Sequence, residues 1–317
     1  MHDLVIKDGT LVDGTGAPAR TAHVAVDDGI ITDVVDAESG ELGSARDVVD
    51  AEGLLVTPGW VDIHTHYDGQ ASWDPYLTPS SWHGVTTVVM GNCGVGFAPA
   101  APDRHEWLIE LMEGVEDIPG SALVEGITWG WESFEEYLDV LDTNRFAIDV
   151  GTQVPHGALR AYVMGERGAA NEPATADDIA AMSGLVERGL RAGALGFSTS
   201  RTPIHRSVSG ELVPGTTADA EELYGIGDAM RRVGHGVFQF APEHVILAES
   251  EWPWMRELAR RTGRTVSVNL NQTDQEPDLW RDILRLLDEA EADGLPIVAQ
   301  IAGRVVGLLM CLEGSFN

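Results

Sequence analysis

The sequence predicts an α/β protein built on a (β/α)8 barrel of the TIM type, preceded by a small β module. Near-continuous apolar runs that end in polar residues alternate with amphipathic stretches along most of the chain. Apolar runs of this kind are typical of buried parallel strands, which helices connect. No glycine-rich phosphate turn accompanies these runs, and this favours a barrel over a doubly wound sheet.

We expect residues 1–55 to form the small β module, as the N-terminal part of a β-sandwich, and residues 56–317 to form the barrel. Short apolar runs in "DLVIKDGTLVDGTG" and "AHVAVDDGIITDVV" are interrupted by Asp-Gly and Thr-Gly pairs, which favour turns between strands. Strands this short need a packing partner, so we expect them to form part of a small sheet.

The barrel strands are predicted from seven apolar runs: "GWVDIHTH", "VTTVVMGNCG", "FAIDVGTQVPHG", "ALGFSTSR", "GVFQFAP", "TVSVNLNQ" and "PIVAQIAG". Helical patterns lie between them. In "TADDIAAMSGLVERGLRAGA" the apolar residues fall on one helical face: Ile179, Met182, Val186 and Leu190. Thr175 and Asp178 resemble a capping box at the start of that helix. Two further helical segments end at a glycine, as helix C-termini often do.

Chemistry in such barrels takes place at the C-terminal ends of the strands. Six candidate side chains occupy these positions in the sequence: His64, His66, Cys93, His156, Arg201 and Gln239. The predicted site therefore lies at this end of the barrel.

The last residues of the chain, "LLMCLEGSFN", supply no eighth strand and no closing helix. We therefore expect the barrel to be truncated before its eighth strand, with its C-terminal part absent. A fragment of a longer protein explains this pattern better than a partner that closes the barrel.

The segment from about 98 to 145 separates the second and third predicted strands and is rich in Trp, Glu and Asp. Loops at this end of a barrel overhang the pocket, so one interpretation is a lid over its mouth. The alternative is a helical excursion that buries Trp129 and Trp131 for packing.

Composition excludes several classes of partner. Fifty-one acidic residues against twenty basic ones give a formal charge of −31, which disfavours nucleic acid and anionic membranes. Two cysteines, Cys93 and Cys311, imply no disulfide framework, and no signal peptide or spanning segment is evident, so we expect a cytoplasmic protein. Cys311 lies in an apolar stretch and is predicted to be core. The oligomeric state stays open, including a homo-oligomer.

The stretch "GWVDIHTHYD" predicts a metal site. On a strand, alternate side chains share a face, so Asp62, His64 and His66 would point the same way. Two imidazoles side by side at a strand end suit a zinc ion. The alternative is a pair of ordinary polar residues at the barrel mouth.

These residues also carry a family likeness. "TPGWVDIHTHYDGQ" after a short β module resembles the amidohydrolase superfamily, and "GNCGVGFAP", "MEGVEDIP" and "LRAGALGFSTSR" narrow the resemblance to the D-aminoacylase type, the N-acyl-D-amino-acid deacylases. The resemblance implies a metal-dependent (β/α)8 barrel with a flanking β-sandwich, which activates water on zinc to cleave an amide. It also implies that His64, His66 and Cys93 are metal ligands.

The sequence departs from the family pattern at the fifth and sixth strands. The resemblance implies a histidine at each of these strand ends, but the sequence offers Gln239, Ala241, Asn269 and Asn271. Amides are poor zinc ligands compared with imidazole or thiolate. The family's proton-shuttling aspartate belongs to the eighth strand, so we assign no catalytic residue here. We expect at most one tightly held zinc.

Three residues are candidates for substrate binding. Arg201 could hold a substrate carboxylate through a bidentate pair, or could form a salt bridge to the acidic 98–145 segment. His156 and Tyr67 are further candidates, with local structural roles as the alternative. His205 and His244 are expected to be exposed loop residues.

The sequence therefore predicts a metal-dependent hydrolase of a non-peptide C–N bond, which deacylates an N-acyl-D-amino acid. Its partner would be a small molecule that carries an amide and a carboxylate. One alternative is a cyclic-amide hydrolase of the hydantoinase or dihydroorotase type. The other is a metal-poor relative that binds without hydrolysis, which the amides on strands five and six support.

Overall fold

The computed structural model describes residues 1–303. The predicted end of the barrel and Cys311 lie outside the described residues. The chain divides into two compact units, Met1–Trp60 and a second that begins at Val61. The sequence placed this boundary at residue 55.

The first unit is a five-stranded sheet in the order β3-β2-β1-β4, with β5 paired to β1. β1 is antiparallel to β2 and parallel to β4 and β5. The predicted turn at Asp28 and Gly29 is present, with φ values of 51° and 77°. The strands are β1 (His2–Leu11), β2 (Arg20–Asp27), β3 (Ile30–Asp36), β4 (Ala45–Asp50) and β5 (Leu55–Val56).

The second unit contains the strands that carry the predicted site: β6 (Trp60–Asp62), β7 (Val85–Met90), β8 (Asp149–Thr152), β9 (Val154–Pro155), β10 (Gly196–Ser200), β11 (Val237–Ala241), β12 (Thr265–Asn269) and β13 (Ile297–Gln300). They form two sheets, β6-β7-β8 and β9-β10-β11-β12-β13. Only Gln153 separates β8 from β9. The β7–β8 pair and every pair of the second sheet are parallel, as the apolar runs predict.

Helices connect these strands: α1 (His105–Glu116), α2 (Gly120–Gly126), α3 (Phe134–Thr143), α4 (His156–Met164), α5 (Glu166–Ala169), α6 (Ala176–Ala192), α7 (Ala220–Val233), α8 (Trp252–Thr262) and α9 (Leu279–Ala292). Among the described residues, no helix is long and apolar enough to cross a membrane.

Helix α6 shows how the sequence pattern produces the local structure. The Thr175 hydroxyl accepts from the Asp178 N–H and the Asp178 carboxylate accepts from the Thr175 N–H, which forms the predicted capping box. Met182, Val186 and Leu190 are all buried, which confirms the predicted apolar face. The helix therefore packs its apolar stripe inward while its polar side faces solvent.

The strands of the second unit border one cavity of about 220 Å³. Residues on or beside every strand of this unit line it: Ile63, Val89, Gln153, Leu195, Val237, Thr265, Ser267, Val298 and Gln300. The two sheets therefore both contribute residues to one cavity.

The segment between β7 and β8 forms α1, α2 and α3 and packs through aromatic side chains. Trp131 is buried, and its indole N–H donates to the Phe97 carbonyl oxygen at 2.7 Å. Trp129 stacks on His105 with a ring separation of 3.7 Å. The packing interpretation of this segment accounts for these contacts, since Trp131 is buried and Trp129 is partly buried.

Candidate metal centre

His64 and His66 lie just beyond strand β6, not on it. The strand ends at Asp62, so the prediction that both imidazoles lie on the strand and share one face of it is wrong in detail. The segment is instead fixed by Thr65, whose N–H and hydroxyl both donate to the Val89 carbonyl oxygen, at 3.0 and 2.8 Å. This anchor on β7 holds the two histidines at the strand end, with ring centroids 5.3 Å apart.

Cys93 lies in a tight turn that follows β7. Gly91, Cys93 and Gly94 all have positive φ values, of 74°, 54° and 72°. A Cβ on Gly91 would lie 2.3 Å from the Gln153 carbonyl oxygen, so this position requires glycine. The Asn92 amide closes the turn by donating to the carbonyl oxygens of Thr65 and Val89.

The turn brings Cys93 to the histidine pair. His64, His66 and Cys93 each place a potential ligand atom within 4.8 Å of the others. His64 Nε2 lies 3.1 Å from Cys93 Sγ, and His64 Nδ1 lies 2.9 Å from Gln300 Oε1. Because the amide oxygen only accepts, Nδ1 carries the proton and Nε2 directs its lone pair towards the thiol.

Burial sets the charge state of these three side chains. It lowers the pKa of His64, although the Gln300 hydrogen bond opposes this effect, and it lowers the pKa of His66 to well below the usual value. Burial and then the nearby Glu116 raise the pKa of the Cys93 thiol well above its usual range. The site therefore presents two neutral imidazoles and a thiol.

These residues fit a zinc ion. Neutral imidazole and thiolate are the donors that zinc prefers, and a bound cation would replace the thiol proton that Cys93 shares with His64. Three protein ligands with a fourth position open are typical of a catalytic site.

The amides of strands β11 and β12 form a hydrogen-bonded pair behind Cys93. Gln239 Oε1 accepts from the Cys93 N–H at 2.9 Å, and Gln239 Nε2 donates to Asn269 Oδ1 at 3.0 Å. Asn269 Nδ2 lies 3.9 Å from Cys93 Sγ. At the two strands where the resemblance implies metal-binding histidines, this chain therefore has amides, and these amides hold Cys93 by hydrogen bonds.

A cavity of about 310 Å³ opens beside His64. Its lining includes the amides of Asn269, Asn271 and Gln300, together with the apolar Ile63 and Ile301. Of the three candidate ligands, His64 lines this cavity, and Asp62 lines it as well, so the cavity offers a carboxylate beside neutral amides to a small molecule.

Both ring nitrogens of His156 are engaged by protein groups, so the imidazole is not available for a direct contact with substrate. The side chain has no exposed surface; Nδ1 lies 2.8 Å from Thr199 Oγ1 and Nε2 lies 2.8 Å from Glu222 Oε1. Glu222 also pairs with Arg160. The prediction that His156 binds substrate is not supported, because its imidazole belongs to a buried polar network.

Arg201 and Tyr67 are also engaged by protein groups. The Arg201 guanidinium contacts Glu251 at 3.2 Å and donates to the Ala218 carbonyl oxygen at 2.7 Å. Its ion pair is therefore with Glu251, not with the 98–145 segment. The Tyr67 hydroxyl donates to Ser80 Oγ at 2.8 Å, and Tyr67 is buried. Their roles as substrate contacts stay predictions that this geometry does not favour.

The prediction that His205 and His244 are exposed is wrong, because both are partly buried. His205 Nδ1 lies 3.0 Å from Ser200 Oγ, and burial followed by the nearby His64 lowers the pKa of His205 to about 4. His205 therefore belongs to the surroundings of the histidine pair. Its position in "STSRTPIHR", five residues after a strand end, gave only a weak signal of this.

Two buried carboxyl groups lie beside the site: Asp68, which the sequence made a candidate for shaping the pocket because it follows the histidine pair, and Glu116, which sequence reasoning missed. Asp68 is 2% exposed, and burial raises its pKa to about 7. Glu116 Oε1 lies 3.3 Å from His66 Nδ1, and burial followed by Asp68 and Asp117 raises the pKa of Glu116 to about 8. "MEGVEDIP" contains Glu116, but only the fold reveals that this segment reaches His66.

Comparison with known proteins places the chain among metal-dependent relatives. The amidohydrolase family matches residues 47–309. D-aminoacylase from Alcaligenes xylosoxydans xylosoxydans is 35% identical over 213 residues, which are 67% of this chain and 40% of that protein. A protein of Mycobacterium tuberculosis without an assigned function is 32% identical over 76% of this chain and 40% of its own length.

Solved structures give the same result. D-aminoacylase aligns with a TM-score of 0.76 at 29% identity, over 97% of this chain and 60% of that chain. N-acyl-D-glutamate deacylase from Bordetella bronchiseptica, solved with zinc and a phosphonate mimic of the tetrahedral intermediate, aligns with a TM-score of 0.75 at 29% identity, over 95% and 58%.

The chain spans about two fifths of the length of these curated relatives. Even so, the family match covers most of the chain and includes all three candidate ligands. The chain therefore belongs to the amidohydrolase family.

Proposed function

We propose that this chain carries the metal centre of a hydrolase that cleaves the amide bond of an N-acyl-D-amino acid. The observation that carries the proposal is the convergence of His64, His66 and Cys93, whose ligand atoms lie within 4.8 Å of one another. The deacylase relatives support the amide substrate, because D-aminoacylase matches two thirds of this chain.

We propose zinc as the metal, held by His64 Nε2, His66 and the Cys93 thiolate. When bound, zinc supplies a Lewis acid that lowers the pKa of water and polarises a carbonyl group. The residues of this chain hold the donors in place: Gln300 fixes the tautomer of His64, and Gln239 fixes the backbone of Cys93. The solved structure of N-acyl-D-glutamate deacylase is a complex with zinc.

The proposed centre holds one tightly bound metal. A second ion would need further ligands from strands β11 and β12, where Gln239 and Asn269 are bonded to each other. Neutral amide oxygens bind zinc weakly compared with imidazole and thiolate. D-aminoacylase is described with a binuclear centre that one metal activates and a second attenuates. One-metal chemistry is therefore compatible with this family.

We propose that strands β6 to β13 belong to a (β/α)8 barrel. Two observations support this finer description: residues beside every strand line one cavity, and His64 beyond β6 reaches Gln300 at the end of β13. Side chains beside the C-terminal ends of the first and last described strands of the series therefore meet, as they do when strands surround a common interior.

The proposed substrate is a small molecule with an amide and a carboxylate. We place its amide at the three ligands and its remaining part in the cavity lined by Asn269, Asn271 and Gln300. Among enzymatic functions, hydrolysis of a cyclic amide is the second candidate. A binding relative without hydrolysis is less supported, because the donor set suits zinc.

Elemental analysis and a substrate panel test the proposal. We expect the purified chain, dialysed against a mild chelator, to retain one equivalent of zinc. The zinc-loaded protein should release amino acid from N-acetyl-D-amino acids in preference to their L-enantiomers. Release from hydantoin or dihydrouracil alone would favour the cyclic-amide alternative, and a metal-free chain would favour the binding relative. Two retained equivalents would contradict the one-metal proposal.

A further inference from the structure

Glu116 lies beside His66, although it belongs to the helical segment between β7 and β8. It is the last residue of α1, and its Oε1 lies 3.3 Å from His66 Nδ1. The two atoms are not aligned for a hydrogen bond, and His66 Nδ1 is buried without a hydrogen-bond partner among the described residues. A small rotation of either side chain would complete that bond.

The packing of α1 fixes Glu116 in this place. Leu108, Leu111 and Met112 on the same helix are each at most 2% exposed. Closer to the helix end, a Cβ on Gly114 would lie 2.3 Å from the Ser207 backbone, so the helix approaches that segment closely. Glu116 therefore has little freedom to move away from His66.

The position of Glu116 is unfavourable for a carboxylate unless a cation is near. It is at the C-terminus of α1, where the helix dipole already provides partial negative charge. Asp117 follows it in the left-handed conformation, and the buried Asp68 has an oxygen without a hydrogen-bond partner among the described residues. Burying acidic groups together costs stability unless positive charge offsets it.

We propose that Glu116 is the positioning residue of His66. It accepts a hydrogen bond from His66 Nδ1–H, which leaves the Nε2 lone pair free for the metal. Gln300 has the same relation to His64, since its amide oxygen accepts from Nδ1 at 2.9 Å. Such outer partners set the tautomer of a ligating histidine and raise its basicity. This inference rests on the proposed metal centre.

Metal affinity of three variants of the full chain tests the proposal. Zinc affinity is measured by competition with a chromogenic chelator, and the absorption spectrum of the cobalt-loaded protein reports the ligand geometry. We expect Glu116→Ala to weaken zinc binding about 10- to 100-fold. Glu116→Gln should lose less, because its amide oxygen can still accept from Nδ1. Glu110→Ala, an exposed glutamate on the same helix, is the matched control and should keep wild-type affinity.

The His66 ring proton and the thermal stability separate positioning from a general effect on folding. In ¹⁵N-labelled zinc-loaded protein, we expect Glu116→Ala to shift the Nδ1–H resonance of His66 and to speed the exchange of that proton with water, because the proton loses its acceptor. Wild-type zinc affinity in Glu116→Ala would overturn the proposal and leave the metal centre intact. A lower melting temperature with unchanged zinc affinity would overturn it equally. A wild-type chain that binds no zinc would instead remove the metal centre, and this inference with it.

Discussion

Two groups of histidines lie at strand ends in this molecule and differ in what surrounds them. His64 and His66 are partly exposed, and their potential ligand atoms lie within 4.8 Å of that of Cys93, with Glu116 Oε1 3.3 Å from His66 Nδ1. His156 is fully buried, and both of its ring nitrogens have protein partners in Thr199 and Glu222. The two groups share residue type and strand-end position. They differ in whether a ring nitrogen keeps a lone pair that can bind a metal.

The comparison shows that the partners of an imidazole decide its role. A histidine whose nitrogens are both satisfied stabilises the fold, because breaking a buried network leaves unpaired polar groups. A histidine with one nitrogen oriented by an outer partner can present the other to a metal, and we propose this role for His64, which lies between Gln300 and Cys93. We expect mutations in the two groups to affect different measurements.

The largest effect should follow His64→Ala with His66→Ala. Removing both imidazoles leaves Cys93 as a single ligand, and one thiolate does not hold zinc against a chelator. We expect no zinc to remain after dialysis, measured by elemental analysis, while the melting temperature of the metal-free protein changes little. His235→Ala, at an exposed loop position, is the control. Undiminished zinc in the double variant would place the site elsewhere.

The sequence predicted much of this architecture because hydrophobic patterning is local. The seven apolar runs became the strands of the second unit, and the capping box at Thr175 formed as expected. Parallel strands bring their C-terminal ends together, so His64, His66 and Cys93 could be grouped without a structure.

Contacts between distant segments could not be predicted in the same way. His156 was a candidate for substrate binding because nothing in "QVPHGALR" indicates that Glu222 on α7 would reach it. Glu116 was overlooked because its approach to His66 depends on how α1 packs. Both outcomes depend on tertiary packing, which single-residue patterns do not encode.

An intermediate effect, on stability and not on metal content, should follow Glu222→Gln. Burial raises the pKa of Glu222, but hydrogen bonds from His156 and Arg160 outweigh it and lower the pKa from 4.5 to about 2. A depressed carboxyl pKa contributes stability above pH 4.5 that is lost as the pH falls towards 2. We expect the variant to lose about 3 to 5 kcal/mol at pH 7, because Arg160 stays buried without its partner.

Denaturant unfolding at several pH values measures this effect. The wild type should lose stability steeply below pH 4.5, and burial of neutral His156, whose pKa is lowered, adds to the loss below its usual value of 6.5. The variant should show a shallower acid dependence and should still bind zinc. Loss of zinc without loss of stability would contradict the division between the two histidine groups.

The smallest effect should follow substitution of Gln300, because it acts on the metal only through His64. Its amide oxygen accepts from His64 Nδ1, which keeps Nε2 unprotonated and directed at Cys93. In Gln300→Ala, water can take over that acceptor role at the partly exposed site, so we expect about a 10-fold loss of zinc affinity. Gln300→Glu offers a charged acceptor in the same place and should match or exceed wild-type affinity. Chelator competition measures both variants, and Gln272→Ala in an exposed loop is the control. If alanine and glutamate at position 300 gave equal affinities, hydrogen bonding would not orient His64, and the contrast between oriented and saturated histidines would rest on burial alone.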